Sequence, residues 1–365
     1  MLVPVKKIKP KNSFPTKVEW AITGRCNLRC AHCNAADTWN ANEFTTRECK
    51  DFLSHLNREG LFNLFIFGGE PFIRPDFIEI LEHLNSIPLA WTMSTNATLI
   101  DDEHIRVLKQ MRFLKGIQVS VDGSCPEVHD RQRGEGTFDT MLRGLRKLIS
   151  AGIKVNVRMS LTRLNMHDIE GMIKFVKKEG IGNLGIGDVV KSGAACENDM
   201  KIGLAPQEYR RVFVELDVLR KKYPEVGFSA SIVQILDMIK DFYSRGPGQG
   251  RRGTFGACGA GQSTIGVRSD GEVVPCSGWW SLPLGNIRKT SLREIWNKSE
   301  KLNEIRALKD IPLANYEECR TCDYISYCNG GCRASAYYST GEMDGRHWLN
   351  CEIYNRNPRI EEIVC

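Results

Sequence analysis

The sequence predicts an α/β fold, a partial (β/α)6 TIM-like barrel followed by a C-terminal cysteine-rich extension. Three observations predict it. From residue 18 to about 190, short apolar runs alternate with amphipathic stretches, the pattern of parallel strands joined by right-handed helical crossovers. Six such units follow one another, and six rather than eight leave a barrel open. Beyond residue 191 the alternation stops, and the last third is loop-rich and dense in cysteine.

The expected strands run over 18–22, 61–67, 89–94, 116–121, 154–161 and 184–189, with helices over 45–59, 74–84, 101–111, 137–151 and 166–179. Thr46, Asp101 and either Asn165 or His167-Asp168 stand where helix caps belong, and Gly152 and Gly180 stop two helices. Helical stretches over 206–223 and 232–243 lead into a glycine- and arginine-rich loop at 245–261. The chain therefore divides into an N-terminal arm (1–17), a barrel (18–190), a helical bridge and loop (191–257) and a cysteine-rich domain (258–365). Lys6, Lys7, Lys9, Lys11 and Lys17 make the arm basic and solvated.

Apolar content of 42% and charged content of 26% are those of an ordinary globular protein. A net charge of +6 over 365 residues is too dilute to argue for nucleic acid. The N-terminus lacks the apolar core of a signal peptide, and no run approaches a membrane span. Fourteen cysteines without a secretion signal argue against a disulfide scaffold and fit the cytoplasm of an anaerobically growing cell.

In parallel barrels the chemistry sits at the C-terminal ends of the strands, and each suspicious cluster falls there. Cys26, Cys30 and Cys33 follow the first strand, Gly68-Gly69-Glu70-Pro71 the second, Ser94-Thr95-Asn96 the third and Ser120-Val121-Asp122-Gly123 the fourth, while Arg158 and Ser160 lie on the fifth. Three thiolates on one C-x3-C-x2-C loop can hold three corners of a 4Fe–4S cube and leave one iron for another ligand. Structural zinc, which favours C-x2-C pairs and four ligands, and simple reactive thiols are the rival readings of the same residues.

Cys26-Asn27-Leu28-Arg29-Cys30-Ala31-His32-Cys33 followed by Gly68-Gly69-Glu70-Pro71 resembles the radical S-adenosylmethionine (AdoMet) superfamily, over about residues 18–190. The resemblance implies that Cys26, Cys30 and Cys33 bind a 4Fe–4S cluster whose open iron is chelated by AdoMet, with Gly68, Gly69 and Glu70 holding the AdoMet amino group. Glycines admit close backbone approach, and a carboxylate suits an ammonium. Ser94, Asn96, Ser120, Asp122 and Arg158 are candidates for the AdoMet ribose and carboxylate, Arg158 as a bidentate partner; each reads equally well as a strand-end cap or turn former. His32 stands where related proteins carry an aromatic near adenine.

Cys258, the stretch 271–276 ending in Cys276, then Cys319, Cys322, Cys328, Cys332 and Cys351 are similar to the SPASM extension of radical AdoMet enzymes. The resemblance implies that Cys319, Cys322, Cys328 and Cys351 complete one auxiliary 4Fe–4S cluster and that Cys258, Cys276 and Cys332 bind another, making three clusters in all. The second set is one ligand short. Its fourth iron is either open to substrate or takes Cys196 or a non-cysteine ligand. A zinc ribbon would show two C-x2-C knuckles, and only Cys319/Cys322 forms one. Cys49, Cys125 and Cys365 belong to neither set. Cys49 reads as a packed small hydrophobe, and Cys125, just past the fourth strand, is the candidate catalytic thiol. Trp279, Trp280, Tyr337 and Tyr338 are expected to pack around the clusters.

The implied activity is reductive cleavage of AdoMet to a 5′-deoxyadenosyl radical, hydrogen abstraction from a substrate, and oxidation or substrate binding by the auxiliary clusters. The leading substrate is a ribosomally made precursor peptide. The runner-up is a haem-precursor side chain, whose branch shares the pattern over 120–139, and a non-catalytic iron–sulfur or zinc protein is the alternative of another class. With about seventeen residues ahead of the first strand, no leader-binding domain is expected there, so the peptide would be recognised either by a separate recognition protein or by the barrel and bridge surfaces. A low-potential electron donor such as flavodoxin or ferredoxin completes the expected partners, with no nucleic acid and no membrane.

Overall fold

In the computed structural model, residues 13–35, 42–250, 252–256, 258–347, 349 and 351 are described. Strands β1 (Lys17–Thr23), β2 (Asn63–Gly68), β3 (Trp91–Thr95), β4 (Leu114–Ser120), β5 (Val155–Leu161) and β6 (Asn183–Asp188) lie side by side in chain order. Every neighbouring pair among them is parallel. The helices between them are α1 (Thr46–Arg58), α2 (Phe77–Asn85), α3 (Asp102–Leu108), α4 (Pro126–Arg133), α5 (Thr137–Ser150) and α6 (Ile169–Lys178). The chain thus forms the partial barrel that its alternating pattern predicts.

Local signals explain most boundaries. Thr45, not Thr46, caps α1: its hydroxyl accepts from Glu48 N at 3.3 Å while the Glu48 carboxylate takes Thr45 N at 2.8 Å, a reciprocal capping box. Asp101 caps α3 by accepting from His104 N at 2.9 Å. Asn165 and Asp168 cap nothing; the Asp168 carboxylate instead accepts from Ser124 N and Ser124 Oγ at 2.6 and 2.7 Å, tying the exit of β4 to α6. Gly152 and Gly180 follow α5 and α6 at φ +74° and +72°, where a side chain would be strained.

The sheet does not stop at six strands. Its order is β10-β9-β8-β1-β2-β3-β4-β5-β6-β7, with β7 (Gly227–Ala230) parallel to β6 on one edge. On the other, β8 (Thr264–Val267) runs parallel to β1, pairing Lys17 with Thr264, and β9 (Glu272–Val274) and β10 (Gly285–Asn286) follow antiparallel. The cysteine-rich region is therefore continuous with the barrel sheet rather than beaded after it. Between these edges lie α7 (Ala194–Glu197), α8 (Asp199–Ile202), α9 (Pro206–Lys222) and α10 (Ser231–Arg245); α11 (Leu292–Lys298), α12 (Glu300–Ala307), α13 (Glu317–Arg320) and α14 (Arg333–Thr340) complete the chain.

Side chains alternate along β1. Val18, Trp20 and Ile22 are fully buried in the main core with Phe52 and Cys49, and the Trp20 ring meets Phe52 edge-on at 5.3 Å. Ala21 packs instead with Ala35, Val274, Trp280, Cys33 and Phe67, joining the first cysteine loop to the C-terminal strands. Trp279 lies 5.2 Å from Tyr337. Among the described residues no helix is long and apolar enough to cross a membrane.

Candidate active site

Two elements hold the first cysteine loop. From β2, Gly69 N donates to Thr23 O at 2.8 Å and Glu70 N to Arg25 O at 2.9 Å. This contact is why residues 68 and 69 are glycines: a Cβ at 68 would lie 2.3 Å from Thr23 O, and one at 69 only 2.0 Å from Arg25 O. From the other side comes α4, a helix the sequence reading lacks. Ala31 N donates to Gln132 O at 2.9 Å, and Arg133 Nη1 reaches Cys30 Sγ at 3.9 Å. Cys26 Sγ accepts from Leu28 N at 3.4 Å and lies 4.0 Å from Asn96 Nδ2.

The loop opens on a cavity of about 360 Å³ at the C-terminal ends of the strands. Cys26, Cys30, Cys33, Gly68, Gly69, Ser94, Asn96, Ser120 and Arg158 all line it, as do Gln118, Arg133, Ser160, Asp188 and the turn Ser277-Gly278. Three expected residues do not. Glu70 is fully buried behind the wall, its carboxylate accepting from Thr95 Oγ1 and Asn96 N at 2.7 Å each. Asp122 is fully buried too; it takes Arg133 Nε at 2.5 Å and Ser160 N at 2.7 Å, so Arg133 rather than Asp122 meets the cavity. Cys125 sits at the start of α4 and outside the cavity lining, which removes the geometric ground for a catalytic thiol there. Cys365 lies outside the described residues.

Burial sets the charge states. It pushes the Cys26 thiol up and Cys30 up to about 12, so deprotonation awaits a metal, which turns thiols into thiolates outright. Burial pushes His32 down to about 4, against the pull of Asp122 at 3.4 Å; a neutral ring suits packing better than proton transfer. The Glu70 carboxyl is raised to about 7 by burial, although Asn96 N and Thr95 Oγ1 oppose it. Arg158 is exposed to the cavity. Gly187 makes room for it, since a Cβ there would meet Arg158 Nη2 at 2.1 Å.

The later cysteines fall into two groups by their mutual electrostatic influence. Cys258, Cys276 and Cys332 act on one another electrostatically, with Glu19 beside them. Glu19 also accepts from Ser277 N at 2.9 Å and pairs with Lys17 at 2.7 Å. Cys319, Cys322, Cys328 and Cys351 form the other group, beside a cavity of about 50 Å³ lined by Cys319, Cys328, Cys351, Tyr316 and His347. Cys196 is exposed on α7. Among the described residues no three His, Cys, Asp or Glu side chains form a site for a single metal ion. Soft thiol donors in sets of three and four, with polar hydrogens aimed at sulfur, fit iron–sulfur ligation, and the donor-rich cavity fits a zwitterionic nucleoside cofactor.

Comparison with known proteins agrees with this architecture. The radical SAM superfamily matches residues 20–176, and the SPASM iron–sulfur cluster-binding domain matches residues 258–323. The AdoMet-dependent heme synthase of Methanosarcina barkeri is 29% identical, over 90% of this chain and 94% of its own length. The Fe-coproporphyrin III synthase of the same organism is 30% identical, over 87% and 83%, and the mycofactocin maturase MftC of Mycobacterium tuberculosis is 28% identical, over 91% and 81%. Two solved structures share the fold, each with a TM-score of 0.72: Streptococcus suis SuiB bound to S-adenosylmethionine, at 16% identity over 92% of this chain and 77% of that one, and anSMEcpe with bound AdoMet, at 20% identity over 95% and 98%. The chain belongs to the radical SAM superfamily and carries a SPASM iron–sulfur domain, which imply AdoMet and 4Fe–4S clusters as its cofactors.

Proposed function

We propose that the chain is a radical AdoMet oxidoreductase that oxidises or crosslinks a side chain of a ribosomally made precursor peptide. One observation carries the oxidative part: the thiols of Cys26, Cys30 and Cys33 and the Ser277-Gly278 turn beside Cys276 line the same cavity. A substrate there lies between the first cluster site and the Cys258/Cys276/Cys332 set. The bound cluster and cofactor supply the electron and the 5′-deoxyadenosyl radical.

The chain's own residues do the positioning. Gly68 and Gly69 fix the cysteine loop and line the wall where the cofactor's amino group would lie, with Glu70 bracing that wall from behind. Arg158 offers a bidentate guanidinium to its carboxylate, and Ser94, Asn96 and Ser120 offer polar groups to its ribose. Asp122 acts through Arg133. Leu28, Phe65, Phe67, Val189 and Val190 line the same cavity and keep water from a reactive radical. Cys258, Cys276 and Cys332 hold one auxiliary cluster, and Cys319, Cys322, Cys328 and Cys351 the other, for three clusters in all. A flavodoxin or ferredoxin as electron donor, a separate leader-recognition protein and a cytoplasmic setting accompany this reading.

Peptide maturation is supported by the likeness to the mycofactocin maturase. A second reading, modification of a carboxylate-bearing tetrapyrrole, is favoured by the heme and Fe-coproporphyrin III synthases, and Arg158 would suit a propionate as well. One experiment separates them. Anaerobically reconstituted protein, AdoMet and dithionite are incubated with a short Cys-, Tyr- or Trp-containing precursor peptide identified from neighbouring genes or with Fe-coproporphyrin III, and 5′-deoxyadenosine is counted. The peptide should stimulate it and lose hydrogen; stimulation by the tetrapyrrole alone overturns the peptide reading. Cys30→Ala should abolish cleavage, and cleavage that persists would sink the cluster assignment itself.

A further inference from the structure

Arg333 follows Cys332 and opens α14, yet only 2% of it is exposed. Its guanidinium is held by main-chain carbonyls. Nη1 donates to Gly345 O at 2.7 Å and Met343 O at 3.3 Å, Nη2 to Gly330 O, and Nε to Gly331 O at 3.4 Å. Its Cζ lies 4.4 Å over the Phe255 ring. Carbonyls orient a cation but do not neutralise it, and no carboxylate stands among the charges that act on Arg333 most strongly.

The groups that act on it are thiols of both auxiliary sets, Cys332 and Cys258 of one and Cys328 and Cys319 of the other, together with the neutral Tyr316 phenol, which donates to Asp344 at 2.8 Å. An uncompensated buried charge is costly, and arginine does not escape by deprotonating. The missing anion is supplied when the thiols become thiolates on iron. A fixed cation beside a cluster also favours the reduced state, because reduction adds negative charge, and cluster potentials follow local charge and burial.

We propose that Arg333 is a positioning residue whose charge, set between the two auxiliary sites, raises the reduction potentials of both auxiliary clusters above that of the first cluster. The consequence is a direction for electrons. A substrate radical that gives up one electron, and its proton to water, reduces an auxiliary cluster from the 2+ to the 1+ state rather than the first. At the first site, Arg133 is matched by Asp122 at 2.5 Å, so no such net charge acts there.

The proposal rests on the three-cluster reading, and one titration keeps the two distinct. Reconstituted full-length protein, wild type, Arg333→Gln and Arg333→Lys, is titrated potentiometrically with EPR detection after iron is counted. Both wild-type auxiliary couples should lie above the first-cluster couple. In Arg333→Gln both should fall at least tenfold in their reduction equilibrium, about 59 mV for one electron, while the first couple stays; Arg333→Lys should keep the wild-type order. Wild-type auxiliary couples at or below the first overturn the proposal whether or not the variants fold. So do unchanged couples in a fully loaded Arg333→Gln, or equal loss of auxiliary iron from both variants, which marks a mere anchor. About four irons per wild-type chain instead of about twelve removes the three-cluster reading, and the proposal with it.

Discussion

Two buried arginines stand beside cysteine sets, and the chain balances them differently. Arg133 reaches Cys30 but is paired with Asp122, itself fully buried and held by Ser160 N. Arg333 feels the charge of cysteines of both groups and is held by neutral carbonyls. Iron–sulfur potentials span about −700 to +450 mV and respond to net charge and burial. On the proposal above, sites built from the same ligand type are given different tasks by one carboxylate: present where an electron is to be delivered at low potential, absent where electrons are to be collected.

The strongest way to break this contrast is to strip the first arginine of its partner. Asp122→Asn leaves Arg133 buried without an anion, and breaking such a pair costs roughly 3–5 kcal/mol. Denaturant unfolding of the variant should show that loss, and EPR titration should show the first-cluster couple moving up toward the auxiliary ones, with slower 5′-deoxyadenosine release. An unchanged couple would mean that the ion pair serves folding alone.

A smaller effect is expected at Gly69. Alanine there must push the Arg25 carbonyl away, a local overpacking worth about 1–3 kcal/mol. Gly69→Ala should shed the iron of the first cluster and keep the auxiliary iron, measured as iron per chain with and without AdoMet. Loss from all sites alike would show that the two regions are not independent.

Glu19 sharpens the comparison within the auxiliary half. It faces Cys258 and Cys276 and takes Ser277 N. Glu19→Gln keeps an acceptor for that amide but removes the negative charge, so stability should change by no more than about 1 kcal/mol. The couple of the Cys258/Cys276/Cys332 cluster should rise, and that of the Cys319/Cys322/Cys328/Cys351 cluster should stay where it is. Equal shifts in both would assign Glu19 no particular cluster.

What the sequence shows of all this follows from range. The six barrel strands and their strand-end clusters are legible because their patterns are local: apolar runs, caps and glycine stops. Helix α4 escapes notice because half of its residues Pro126–Arg133 are charged and only Val128 is an apolar side chain that could mark a buried face; its last turn is turned toward the cysteine loop instead of the core. Strands β7, β8, β9 and β10 are four, four, three and two residues long, too short to announce themselves, and β8 exists through pairing with β1 far away in the chain. Asp122 stands at a strand end like the other candidates, and only the return of Arg133 along α4 shows why it faces inward.

The smallest expected effect concerns protons in the network behind Arg133. His129 accepts from Asp122 N at 3.2 Å through Nδ1 and is held down to about 4, first by burial and then by Arg133. Its ordinary value is 6.5, so between pH 6.5 and about 4 the unfolded chain binds a proton that the folded chain refuses. Stability must therefore rise with pH across that window and be lost on acidification. Glu70 acts oppositely: its folded value of about 7 exceeds the ordinary 4.5, so its contribution is complete below 4.5 and disappears as pH rises through 7. Denaturant unfolding of metal-free wild type and His129→Gln should differ most at and below about pH 4, where the variant gains the most relative stability, and that difference should shrink as pH rises and no longer change above pH 7. A constant difference across the whole range would place the His129 effect in packing against Phe138, 5.6 Å away, rather than in the charge balance around Arg133.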